Sequence, residues 1–139
     1  MGYTTTFKGK FKITPYPSSE FIEEINLFSR IRHNMVKYPG IWCQWIIDSN
    51  GDLVWNGMEK FYHYTEWLQY LINEFFSPYG YELNGKVNYR GERMDDFGVI
   101  YIKANNIRQV FGGYDPDDEE LIISISIDKY GKVKHEIIG

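Results

Sequence analysis

Arg90, Glu92, Arg93, Asp95 and Asp96 bring two guanidinium groups and three carboxylates into one short stretch. Arginine presents a fork of donors that fits phosphate oxygens two at a time. The stretch lies between two strand-like runs. It reads first as an exposed hairpin loop whose ion pairs are worth little. An anion site built on the two arginines, or a metal site organised by the three carboxylates, are the alternatives. A second candidate runs from Gly57 through Lys60 to Tyr64, GMEKFYHY. A turn that enters a helix exposes backbone amides to an anion, and Lys60 adds a point charge. Tyr62, His63 and Tyr64 could stack on a flat base and bond its edge. The same residues would equally serve to staple a helix entry onto a sheet. Trp42, Trp45 and Trp55 form a third group. On a strand, Trp42 and Gln44 face opposite to Cys43 and Trp45, so one Trp is a candidate for a ligand or subunit contact.

Elements that would carry these residues follow from periodicity. Residues 3–13 alternate as a half-buried strand, with Lys8, Lys10 and Lys12 on the wet face. Ser18 and Ser19 can cap a helix whose stripe is Phe21, Ile22, Ile25, Phe28, Ile31 and Met35. Arg30, Arg32, His33 and Lys37 then fill its last turns, and Pro39-Gly40 closes it. Residues 41–47 and 53–55 read as a hairpin around Asp48-Ser49-Asn50-Gly51-Asp52. A second helix begins between Glu59 and Thr65, buries Trp67, Leu68, Leu71, Ile72, Phe75 and Phe76, and stops at Ser77-Pro78-Tyr79-Gly80. Further strands are expected over 81–89, 97–103 and 107–111. A terminal hairpin is expected over 121–127 and 133–138. The order predicts an α+β two-layer sandwich, a largely antiparallel sheet with two helices on one face. A ferredoxin-like β-α-β-β-α-β core with added C-terminal strands is the leading topology, and other two-layer sheets fit the same order. A single domain over 1–139 is expected, with a core of about residues 2–113 and an acidic loop and hairpin over 114–139.

Composition narrows the function classes. Four Trp, twelve Tyr and nine Phe make the chain rich in rings, which suits a ligand pocket, a protein interface or a tyrosine-rich core. Cys43 is the single cysteine, so no intramolecular disulfide forms and a reducing cytoplasmic setting fits. No apolar run is long enough to span a bilayer, so no membrane partner is expected. His33, His63 and His135 are too scattered for a metal site, and no metal or cofactor is expected. No phosphate-loop, dinucleotide, serine-hydrolase or zinc-protease motif occurs, so no catalytic residue is assigned. Net charge is −4. Residues 1–113 hold twelve basic and twelve acidic side chains, while 114–139 hold three and seven, so the excess sits mainly in Asp115 to Glu120. Lys8, Lys10 and Lys12 are the best basic run and read as a solvated strand face, so nucleic acid is not expected as a partner.

GYTTTFKGKF at the start, WCQW over 42–45, EKFYHYTEWLQYLI over 59–72, GYELNGKV over 80–87 and DDFGVIYIK over 95–103 occur in that order. Together they resemble a family of short phage and prophage proteins whose functions are mostly unassigned. The resemblance covers about residues 2–110; the tail from Tyr114 lies outside it. It implies a phage protein acting in the host bacterial cytoplasm. By association it implies anti-defence: a sponge-like protein, natural as a homo-oligomer, that sequesters a cyclic nucleotide immune signal without cleaving it. The ligand-binding set expected for that role is Trp45, Lys60, Tyr62, Tyr64, Arg90, Glu92, Arg93 and Asp96. One alternative is a protein inhibitor of a host defence enzyme, using the acidic segment or an aromatic surface. Another is a nucleotide hydrolase using Glu92 or Asp96 with His63.

Overall fold

A computed structural model describes residues 2–112 in full and, beyond them, the backbone of two strands at 122–127 and 133–138. Alternation builds strand β1 (Thr6–Thr14), which buries Phe7, Phe11 and Ile13 and exposes Lys8, Lys10 and Lys12. Helix α1 (Ser19–Arg30) starts where the Ser18 hydroxyl accepts the amide of Phe21 at 3.1 Å. It ends earlier than the apolar spacing predicts. Ile31 is extended, and the chain turns so that the His33 amide bonds the Ile41 carbonyl at 2.8 Å. Ile31 and Met35, expected in the core stripe, are therefore more than half exposed, and Arg32, His33 and Lys37 lie beyond the helix.

Strands β2 (Trp45–Ile47) and β3 (Asp52–Trp55) form the expected hairpin, though its first strand starts at Trp45 and residues 41–44, expected in it, are not strand. The Asp48 carboxylate accepts the amides of Asn50 and Asp52, and Gly51 takes the left-handed conformation the turn needs. Helix α2 (Tyr64–Leu71) runs on through a π-helical stretch, Ile72–Phe76. That widening seats Phe76 in the core against Phe21, while Phe75 packs on Phe28. Strands β4 (Glu82–Arg90), β5 (Phe97–Lys103), β6 (Asn106–Phe111), β7 (Ile122–Ile127) and β8 (Val133–Ile138) follow.

All eight strands join one sheet in the order β2-β3-β1-β4-β5-β6-β7-β8, with every recorded pairing antiparallel. The first four positions are the order of a ferredoxin-like core, and β5 to β8 extend the sheet beyond it. The fold is thus the expected α+β sandwich. The acidic stretch 115–120 and the turn expected at 129–131 lie outside the described residues.

The core is the layer between the helices and the inner sheet face. Its centre is aromatic: Trp45 is fully buried among Phe7, Phe11 and Phe61, with ring centroids 5.4 to 5.9 Å away. Beside this layer, Gly9 and Gly85 let the backbones of β1 and β4 approach each other closely. Both have positive φ, and a Cβ on either would sit within 2.7 Å of the other strand's carbonyl oxygen. A buried Thr65 hydroxyl meets the Gln109 side-chain oxygen at 2.9 Å and joins α2 to β6.

Two predictions follow from this packing. Trp45→Ala should lower stability by about 3–5 kcal/mol, read as an earlier denaturant midpoint. His33 carries the second. Its ring packs on Phe28, Tyr38 and Trp67, its Nδ1 faces the Ile41 carbonyl at 3.2 Å, and its Nε2 is buried without a bonding partner. Burial lowers its pKa from the ordinary 6.5. As pH falls, the unfolded chain therefore takes up the proton first. The contribution of neutral His33 is complete above the ordinary histidine range and is lost as pH drops through it. The gap in melting temperature between the native chain and His33→Gln should narrow from about pH 7.5 to about pH 5.

Candidate functional site

The chain leaving β3 cannot continue as a strand, because Asn56-Gly57 turns it and the Asn56 side chain accepts the amide of Met58 at 2.9 Å. Two anchors then hold residues 56–63. Phe61 is buried at 1% exposure against Phe7 and Trp45. Gln44, itself buried, accepts the Asn56 amide on its carbonyl at 2.9 Å and donates from its side chain to the Glu59 carbonyl at 3.2 Å. The Trp55 indole N–H adds a bond to the Met58 carbonyl at 3.0 Å. With the loop tied at these points, Met58, Glu59, Lys60, Tyr62 and His63 are left on its exposed side.

Those side chains face the end of α1 and the segment before β2 across a cavity of about 640 Å³. Arg30, Met35 and Trp42 line the opposite wall. The volume lies within the range of small-molecule clefts. Its chemistry is mixed. Trp42 and Tyr62 are each 47% exposed, the thioethers of Met35 and Met58 supply soft apolar surface, and Arg30 and Lys60 supply positive charge. Glu59 is the one carboxylate of the lining; His63, also on the lining, stands 3.7 Å from Glu66, which is not. Lys60 and His63 both hold positive φ, at 60° and 58°. Left-handed backbone at non-glycine residues is costly and persists only where surrounding contacts enforce it. Here the enforcing contacts are the Gln44 and Phe61 anchors.

Of the eight residues expected to bind a ligand, Lys60 and Tyr62 lie on this cavity. The others are placed elsewhere, each for a physical reason. Trp45 is a core residue with no exposed face, so it offers no stacking platform; its indole N–H donates to the Tyr64 carbonyl at 2.9 Å. Tyr64 turns inward onto Phe7, with centroids 4.9 Å apart, and burial pushes its hydroxyl pKa up, with Tyr89 and Asp96 adding to the effect. Arg90 points to the outer sheet face and lies 5.0 Å over the Phe97 ring. Arg93 is 74% exposed and pairs at 3.8 Å with Asp95. Glu92 and Asp96 receive the N-terminal segment: Glu92 accepts the Thr4 amide at 2.9 Å, and Asp96 accepts the Tyr3 hydroxyl at 2.6 Å. Their carboxylates are engaged in docking the chain's own beginning. The same segment reaches the cavity rim, because the Tyr3 amide donates to the Tyr62 hydroxyl at 3.1 Å.

Arg30, Met35 and Met58 are among the lining residues that the expected ligand set omits, as is Trp42, expected only as one candidate Trp for an outward contact. Strand alternation at WCQW shows that one Trp must face out, but not which one. Cys43 also borders the cavity, yet it is fully buried and its thiol is pushed up to about 11, mainly by burial. It is therefore a protonated thiol at neutral pH. Among the described residues, no three His, Cys, Asp or Glu side chains gather as a metal site, and no helix is long and apolar enough to cross a membrane. Compared with protein-family models, curated proteins and solved structures, the chain gives no match.

Gln44 decides the shape of this wall. Gln44→Ala should cost about 0.5–1.5 kcal/mol, because it removes the donor to the Glu59 carbonyl that ties the loop. Amide exchange should accelerate over residues 56–63 and stay native in β4 and β5; uniform acceleration would mean that Gln44 acts on the whole fold instead.

Proposed function

We propose that this chain is a non-enzymatic binding protein of phage origin. It holds a small anionic ligand with a flat ring, of which a cyclic nucleotide signal is the leading example. Sequestering that signal in the host cytoplasm would blunt an antiviral response. One observation carries the binding part of the reading: half-exposed Trp42 and Tyr62 share a cavity with Arg30 and Lys60. A base can stack on the rings while the cations meet its phosphates. The held, left-handed loop supports it further, since a preset wall loses little freedom when a ligand binds. The phage and anti-defence parts are supported by the sequence resemblance alone.

A second reading uses the same rim as a protein contact. Met35, Trp42 and Met58 are exposed apolar residues of the lining, and Ile31 and Val36 beside them in sequence are 55% and 96% exposed. Such a patch suits a subunit seam or a host protein. Light scattering of the purified chain, with and without Met35→Glu, separates a self-association role from a ligand role.

The ligand reading is tested by thermal shift and calorimetry against cyclic di- and trinucleotides, followed by heat release and chromatography of whatever is bound. At least one member should bind and be recovered intact. Trp42→Ala should weaken it by about 1–3 kcal/mol, the worth of a stacked base, and Lys60→Ala should weaken it through the phosphates. Arg93→Ala should leave it unchanged. Absence of binding across the panel, or recovery of a cleaved product, would count against sequestration.

A further inference from the structure

The sheet ends in two unlike edges. β2, at one end, is three residues long, while β8, at the other, is six. β8 pairs with β7 along its whole length, and among the described residues no strand pairs with its other side. An edge of that length without proline leaves a row of backbone N–H and C=O groups able to receive a further strand. Register places the residues of this hairpin. Gln109, which meets Thr65 of α2, lies opposite Ile125, and Ile125 lies opposite His135. Ile123, Ile125, Ile127, Val133, His135 and Ile137 therefore stand at positions on the helix-bearing face. Ile122, Ser124, Ser126, Lys134, Glu136 and Ile138 stand at positions on the outer face. Lys134 lies opposite Ser126 and Glu136 opposite Ser124, so β7 sets no opposite charge across the ladder from either.

The sequence of β8, VKHEII, answers itself when a second copy runs antiparallel to it. Residues directly opposite in such a ladder must share a face, so the possible registers differ by steps of two residues. Centred on His135, the pairing sets Lys134 of each copy opposite Glu136 of the other, and Val133 opposite Ile137. Sliding one strand by two residues either way centres the pair on Lys134 or on Glu136 and sets like charges face to face. Opposite charges across a ladder stabilise it and like charges destabilise it. The order lysine, histidine, glutamate thus selects one register.

We infer that β8 is a self-association edge, on which a second copy of this chain adds its own β8 antiparallel, with the two-fold axis at His135. Main-chain hydrogen bonds supply the attachment, and the two Lys134–Glu136 pairs fix the register. The interface is isologous, so it closes at two copies and leaves no long edge for a third. In one chain the apolar positions of β7 and β8 on the helix-bearing face stop at the sheet edge. Pairing continues them into the same row of the second copy. The seam lies at the far end of the sheet from β2 and from the cavity beside it, so it does not depend on the ligand reading.

The test is sedimentation of the full chain over a concentration series, with cysteine crosslinking to read the register. The native chain should form a dimer. Lys134→Glu and Glu136→Lys should each weaken it by about tenfold or more, since each turns two attractive pairs into repulsive ones. Mixed in equal amounts, the two variants should pair with each other and restore the dimer, as should the double swap in one chain. A substitution that merely unfolded β8 would not be rescued by mixing. His135→Cys should crosslink to its counterpart under mild oxidation, because residues that meet at the axis have Cα atoms about 4.5–5.5 Å apart. Lys134→Cys should not, because its counterpart lies about 8 Å away. The native Cys43 is fully buried and leaves the introduced thiol as the accessible one. Met35→Glu should leave this dimer intact. The inference is overturned if the native chain stays monomeric throughout the series, or if the charge variants associate like the native chain. It is also overturned if mixing restores nothing, or if Lys134→Cys crosslinks as readily as His135→Cys. Loss of the dimer in Met35→Glu would overturn it too, and would place the seam at the cavity rim.

Discussion

Trp45 is the residue on which the arrangement of both layers depends. Its carbonyl accepts the Ser29 hydroxyl at 2.6 Å and so fixes the end of α1 to β2. Its indole N–H donates to the Tyr64 carbonyl at 2.9 Å and so fixes the start of α2. Its ring fills the space between Phe7, Phe11 and Phe61. A buried indole N–H without an acceptor would be costly, so the start of α2 has little freedom to be elsewhere. That constraint propagates outward. With α1 and α2 both referred to one residue, the loop between β3 and α2 has its two ends set. The cavity is the space left between that loop and the end of α1.

The two sheet faces then divide the work of the molecule. Inward, alternating residues of β1, β4 and β5 meet aromatic rings from the helices, and Gly9 and Gly85 let neighbouring strands approach where a Cβ would collide. Outward, β1 and β4 carry Lys8, Lys10, Lys12, Lys86 and Arg90, while β5 carries Phe97, Val99 and Tyr101 besides Lys103. The period of two that makes one face apolar necessarily collects whatever remains on the other. Charge placed there on β1 and β4 costs little for folding because it stays wet.

The carboxylates near residue 90 show how sequence proximity can mislead about chemistry. Glu92 and Asp96 lie beside two arginines, yet their hydrogen bonds go to Thr4 and Tyr3, some ninety residues earlier. Glu92 accepting a backbone amide and Asp96 accepting a phenol act here as structural acceptors. Arg90 is likewise committed to Phe97. The residues that do share a concavity, Arg30, Trp42, Lys60 and Tyr62, come from three separate segments.

Periodicity alone determined most of the fold. The half-buried strands, the capped first helix, the Asp48 hairpin and the second helix each carry a local signal, because apolar spacing, caps and turn residues act over a few positions. Their order made a ferredoxin-like core the leading topology, while other two-layer sheets fitted it too and the strand order came from the structure. The early end of α1, the π-helical continuation of α2 and the choice of Trp42 over Trp45 as the outward ring were decided only by tertiary packing. Each depends on what stands across the core, which no local window contains. The placing of charge on the outer face depends on it as well. Lys8, Lys10 and Lys12 are visible as one strand's wet side, but Lys86 and Arg90 join them only through strand register. Register is fixed by the buried side chains of neighbouring strands, so the charge pattern on the outside is set by the fit on the inside.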